Sequence, residues 1–142
     1  MLLNMQTIKL KDILTEGLNN KDIQSIIDKV YPQIVKNLGR ARKGTPKVEI
    51  HNNVLSFNSG IEDYPAEGHH DDHAQYVWQN NKIAIFKVAM KSEKEVIQAL
   101  LHEYTHATQD PEKREEYRKL GYDKNPYEQA AHKAESNWRK YV

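Results

Sequence analysis

From residue 92 the apolar residues of this chain recur at intervals of three and four: Val96, Ile97, Leu100, Leu101 and Tyr104. That spacing lines one face of an α-helix and marks it as packed on a core. Ser92-Glu93-Lys94-Glu95 reads as a capping box, with Ser92 as N-cap and Glu95 at the third helical position. The stripe leaves His102, Glu103 and His106 on another side of the same helix. A fold for this chain must bury one face of that helix and present two histidines on another.

The flanking segments supply the rest of an α+β domain. Residues 21–38 carry Ile23, Ile26, Ile27, Val30, Ile34, Val35 and Leu38 at helical spacing, with Asn20 as N-cap, Gly39 as stop, and Pro32 expected to kink or divide the helix. Residues 47–51 and 54–57 alternate around Asn52-Asn53 and predict a hairpin; residues 74–79 and 82–90 predict a second one around Asn80-Asn81. Between them, residues 58–72 are polar, contain Gly60, Pro65 and Gly68, and read as a long loop. Asp110-Pro111 opens a helix to about Leu120, closed by Gly121, and Asn125-Pro126 opens a last one to about Tyr141. Residues 6–14 fit strand and helix equally, Ile8 and Leu10 alternating while Ile13 and Leu14 suit a helix. The expected order is a helix, a small antiparallel sheet and three helices. Residues 1–45 form a helical segment and 46–142 the main unit, within one compact domain, as 142 residues allow.

Composition narrows the chemistry. The chain has no cysteine, which removes disulfides, thiolate metal sites and cysteine nucleophiles together. Any metal must be held by His, Asp or Glu, and there are seven histidines to draw on. A net charge of +1 argues against a nucleic-acid partner. The one basic cluster, Arg40, Arg42, Lys43 and Lys47, reads as a solvated linker. No apolar run approaches the ~20 residues that span a bilayer, so no membrane partner is expected. Met1-Leu2-Leu3-Asn4-Met5 lacks the pattern of a secretory leader, and the expectation is a cytoplasmic monomer.

His102-Glu103-Tyr104-Thr105-His106 is an H-E-x-x-H sequence. On a helix, positions i and i+4 lie ~6 Å apart on one face, so two imidazoles there meet one metal ion. Glu103 projects beside that ion, where it can take a proton from an attacking water.

Leu101-His102-Glu103-Tyr104-Thr105-His106-Ala107-Thr108-Gln109 resembles the active-site helix of the zincin metallopeptidases. In a metzincin, Gly would stand at Gln109 and His at Glu112, so that subgroup does not fit, although Glu112 could itself ligate. Asn125-Pro126-Tyr127-Glu128-Gln129-Ala130-Ala131-His132 is more similar to the glutamate helix of a minimal gluzincin. The resemblance covers about residues 80–136. It implies a zinc-dependent peptidase acting on a peptide or protein, with one Zn2+ held by His102, His106 and Glu128 and with Glu103 as general base. His132 would stand behind a ligand histidine, hydrogen-bonding it. The donor to the developing oxyanion would be Tyr122, Tyr127 or His132. The strand over residues 82–88 would offer its edge to the substrate. The alternative is a silent or latent metal-binding scaffold of the same architecture.

Other residues compete for the third ligand. Glu128 is also the third residue after the Asn125 cap and would suit a purely capping role. Glu135, seven residues on and on the same face, is its chief rival, followed by Glu112, Glu116 and His132. His69, His70, Asp71, Asp72 and His73 form a second metal-competent cluster, but in a loop that fixes no ligand geometry. His51, at the end of a strand, reads as structural or exposed.

Overall fold

The computed structural model describes residues 17–59 and 73–142. Residues 6–14 and most of the expected 58–72 loop, with His69, His70, Asp71 and Asp72, lie outside the described residues. The described residues form a mixed α+β arrangement of five α-helices and a three-stranded sheet. Among them no helix is long and apolar enough to cross a membrane.

Helix α1 spans Asn20–Leu38 and starts one residue earlier than expected, because Asn19 rather than Asn20 caps it by accepting the Asp22 amide at 2.8 Å. Gly39 ends it at φ 87°, a left-handed conformation that glycine adopts without steric cost. Pro32 neither ends nor divides the helix. Its missing N–H removes one hydrogen bond, but the buried stripe Ile23, Ile27, Val30 and Ile34 runs through it and holds both halves against the same core.

Strand β1 (Lys47–His51) forms as expected, but the segment after it is helix α2 (Val54–Ser59), not the return arm of a hairpin. Asn53 explains the difference. It is buried, and its side chain accepts the Ser56 amide at 2.8 Å while its carbonyl accepts that of Phe57. The Asn pair read as a turn is thus a helix cap, a role Asn fills equally well.

Strands β2 (Ala74–Val77) and β3 (Lys82–Phe86) do form the second hairpin, pairing Ala74 with Ile85 and Val77 with Lys82. Asn81 takes the positive φ of the turn, and its side chain bonds Tyr76 Oη and the carbonyls of Lys43 and Gly44. β1 then lies parallel to β3, Lys47 beside Lys82 and His51 beside Phe86. The sheet order is β1-β3-β2, so the sheet is mixed rather than antiparallel and β3 is its centre. Ile83 to Phe86 are all buried. Ile83 and Ile85 face the main core, while Phe86 meets Phe57 of α2 on the other side. β3 is shorter than expected, because a 3-10 turn takes over at Lys87–Ala89.

Helix α3 (Glu93–Thr108) is the spine of the molecule. Val96, Ile97, Leu100, Leu101, Tyr104 and Ala107 are buried, and Tyr104 donates its hydroxyl to the Gly39 carbonyl. Its capping box is altered: the Ser92 side chain makes no capping bond, and Glu95 reaches back to the Lys91 amide instead. The basic linker is fastened rather than free. Arg42 N–H donates to Ala107 O, and Lys43 donates to Trp78 O while lying over its ring.

Asp110 caps α4 (Pro111–Arg118) and Asn125 caps α5 (Pro126–Glu135), each with proline in the first turn. α5 stops at Glu135, short of the expected Tyr141. A separate 3-10 turn, Trp138–Tyr141, buries the Tyr141 ring, whose hydroxyl accepts from Asn37 of α1.

Candidate metal centre

Residues of α3, α5 and the edge strand β2 line a cleft of about 540 Å³. Its floor is the polar face of α3, where His102 and His106 stand one turn apart with ring centroids at 4.9 Å. The opposite wall is α5. Its Asn125 cap accepts the amides of Tyr127 and Glu128, which leaves the Glu128 carboxylate for another purpose. Glu128 Oε1 lies 2.8 Å from His106 Nε2, and Oε2 lies 3.4 Å from His102 Nε2. Glu128 is therefore more than a capping residue.

These three side chains suit a metal ion. Their donor atoms all lie within 4.8 Å of one another. A tetrahedral zinc with ligands at ~2.0–2.1 Å keeps its donors about 3.3 Å apart, close to the 3.4 and 2.8 Å that separate Glu128 from the two histidines. Glu128 Oε2 is buried and makes no hydrogen bond; His102 Nε2 lies 3.4 Å from it, a gap that a cation between the two would fill. The donor set of two imidazoles and one carboxylate contains no sulfur, as a chain without cysteine requires.

The other candidates take different places. Glu135 sits on the opposite edge of the His102 ring from Glu128, its Oε2 2.7 Å from Nδ1. It occupies the place expected of His132, which touches Glu135 (2.9 Å) rather than a ligand histidine through a hydrogen bond. His132 Nε2 in turn meets the Tyr122 hydroxyl at 2.7 Å. A second donor group, His102, His132 and Glu135, shares His102 with the first. Glu112 and Glu116 are exposed on α4 and belong to neither group. Tyr127 is not placed to meet a substrate: its hydroxyl donates to Asp110 O, its ring packs on Tyr117, and it does not line the cleft. Tyr122 and His132 both do. His73, the one described member of the loop cluster, is at the mouth of the cleft. His51 packs on Phe57 beside Glu49, outside the cleft.

Two contacts were not foreseen. Gln109 bonds His106 Nδ1 through Oε1 (2.8 Å) and donates Nε2 to Tyr127 O (3.0 Å), so it orients the second histidine and ties it to α5. Its position three residues after His106, on the same face, was the available signal. The second contact has no side-chain signature. The Tyr76 amide donates to Glu103 Oε1 at 2.9 Å, leaving Oε2 4.0 Å from His102 Nε2.

The electrostatics follow from this packing. Burial pushes the Glu103 carboxyl up, against the opposing influence of His102 and His106. Burial works to lower His102, but its bonds to Glu128 and Glu135 outweigh it and raise the imidazole to about 10. For Glu128, burial is overcome by the two histidines, which hold it well below the usual carboxylate range. No Lys or Arg stands among the described residues lining the cleft.

The edge available to a substrate is also not the expected one. β3 is paired on both sides, so residues 82–88 offer no free edge. Among the described residues β2 is paired only with β3, and it borders the cleft. No family model matches the chain, and no curated protein and no solved structure matches it.

Proposed function

We propose that this chain is a zinc-dependent peptidase whose ion is held by His102, His106 and Glu128. The observation that carries the reading is the convergence of two histidine Nε2 atoms on one carboxylate, with a buried oxygen of that carboxylate otherwise unpartnered. The resemblance of the H-E-x-x-H helix and the glutamate helix to those of a minimal gluzincin supports it.

Bound zinc supplies a Lewis acid that acidifies water and polarises the scissile carbonyl. Glu103 accepts the proton of the attacking water and returns it to the leaving amine as the C–N bond breaks. Burial suits Glu103 to that work, since a carboxyl raised above its ordinary range holds a proton more readily. Tyr122, at the rim, donates to the oxyanion that develops on the carbonyl. The substrate backbone adds to β2, whose Ala74 N–H and C=O face away from β3 by the alternation of an antiparallel ladder.

The test is metal analysis of the purified protein together with a mixed peptide library. One zinc per chain, with cleavage abolished in Glu103→Gln while the zinc remains, is the expected result. Protein without zinc defeats the whole reading. Stoichiometric zinc with no cleavage of any peptide leaves a metal-binding scaffold in its place.

A further inference from the structure

We propose that Glu135 fixes the proton positions of two histidines at once, and through the second of them aims Tyr122. The half that concerns His102 rests on the zinc reading above; the half that concerns His132 does not.

Glu135 is the last residue of α5, two turns beyond Glu128 on the same face. Its Oε2 is 2.7 Å from His102 Nδ1 and 2.9 Å from His132 Nδ1. An ionised carboxylate only accepts, so both Nδ1 atoms carry hydrogen. A neutral imidazole has one N–H, so a neutral His132, and His102 once a bound ion has displaced the proton of its Nε2, carries its lone pair on Nε2. At His102 that lone pair faces Glu128 Oε2, on the side where the ion would be held. At His132 it faces the Tyr122 oxygen at 2.7 Å, so the hydroxyl must be the donor of that bond. His132 therefore acts as the acceptor that holds the Tyr122 hydroxyl, which must turn away from His132 to donate to an oxyanion.

The surroundings make Glu135 the controlling group. The His132 side chain is 52% exposed, and among the described residues only Glu135 and Tyr122 bond its ring nitrogens. The two imidazoles meet edge to face at 4.9 Å, and Tyr122 meets His132 in the same way at 5.5 Å. The Gln98 side chain donates to the Glu135 carbonyl, fastening the end of α5 to α3. Glu135 and His132 are thus positioning residues, linking a ligand histidine to the donor at the rim.

The experiment is ¹⁵N spectroscopy of the histidine rings in the zinc-loaded protein, beside zinc affinities. Wild type should show His132 protonated on Nδ1 with an unprotonated Nε2. Glu135→Ala should move the His132 proton to Nε2 and weaken zinc binding about 10–100-fold. Glu135→Gln, whose carbonyl oxygen still accepts, should restore the wild-type ring pattern. His132→Ala should leave zinc affinity within about threefold. A His132 proton on Nε2 in wild type, or on Nδ1 in Glu135→Ala, overturns the proposal, as does undiminished zinc binding in Glu135→Ala. If Glu135→Ala does not fold, Tyr122→Phe decides: the Nδ1 proton must stay, and its loss would make Tyr122 the controlling group. If the chain takes up no zinc, the peptidase reading and the His102 half fail together, while the His132 spectrum of the metal-free protein still decides the other half.

Discussion

The backbone of Tyr76 holds the side chain of Glu103: the amide of the edge strand donates to Oε1 and turns Oε2 toward His102. The Glu103 carboxylate is thereby fixed by the strand that borders the cleft, and its orientation should survive any change of the Tyr76 ring that leaves β2 paired.

Glu103→Gln keeps an oxygen for that amide and discards the charge. We expect zinc content and thermal stability close to wild type, with kcat reduced about 10²–10⁴-fold. Steady-state kinetics on any cleaved peptide, beside metal analysis, measures both.

Gln109→Ala should loosen the second histidine, since Gln109 is its partner on the edge away from Glu128. Zinc affinity should fall about 10–100-fold, whereas Glu128→Ala should abolish retention of the ion on desalting. Competition with a chromophoric chelator separates the two effects.

Metal-free protein should lose stability as pH rises through about 10. The folded state raises His102 to about 10 from its ordinary 6.5, through Glu128 and Glu135 acting against burial. That contribution is complete below about 6.5 and disappears as the folded group deprotonates. Zinc needs the neutral ring, so its affinity should climb over the same window, with protons released on binding. Thermal unfolding with and without chelator at pH 6, 8 and 10 tests both slopes; parallel behaviour of the two forms would contradict them.

Leu100→Ala removes a fully buried side chain from the face of α3 opposite the cleft. It should cost about 2–5 kcal/mol by chemical denaturation, and the folded fraction should still bind zinc.

Much of this arrangement was legible in local pattern. The stripe of α3, the proline-opened helices and the turn at Asn80-Asn81 are short-range signals, and the H-E-x-x-H spacing placed His102, Glu103 and His106 before any coordinates. The parallel pairing of β1 with β3 was not legible, because it depends on partners 35 positions apart, Lys47 and Lys82, and Asn53 serves a cap as well as a turn. Glu128 and Glu135 could not be told apart from spacing alone, since residues two turns apart share a face. Only the packing angle of α5 on α3 sends one to Nε2 and the other to Nδ1 of the same ring. The Tyr76 contact was invisible because it is made by a main-chain amide.

The parallel pairing has a kinetic consequence. All three proposed ligands belong to α3 and α5, which α4 separates along the chain, and β2 meets β3 through a short turn, whereas β1 must find β3 from 35 positions away. Short loops close sooner than long ones. On that order of events the β2–β3 hairpin forms early, next to α3 in the chain, and the addition of β1 to β3 comes late. Pairing of β1 with β3 should accordingly be the slow step of folding, with or without zinc.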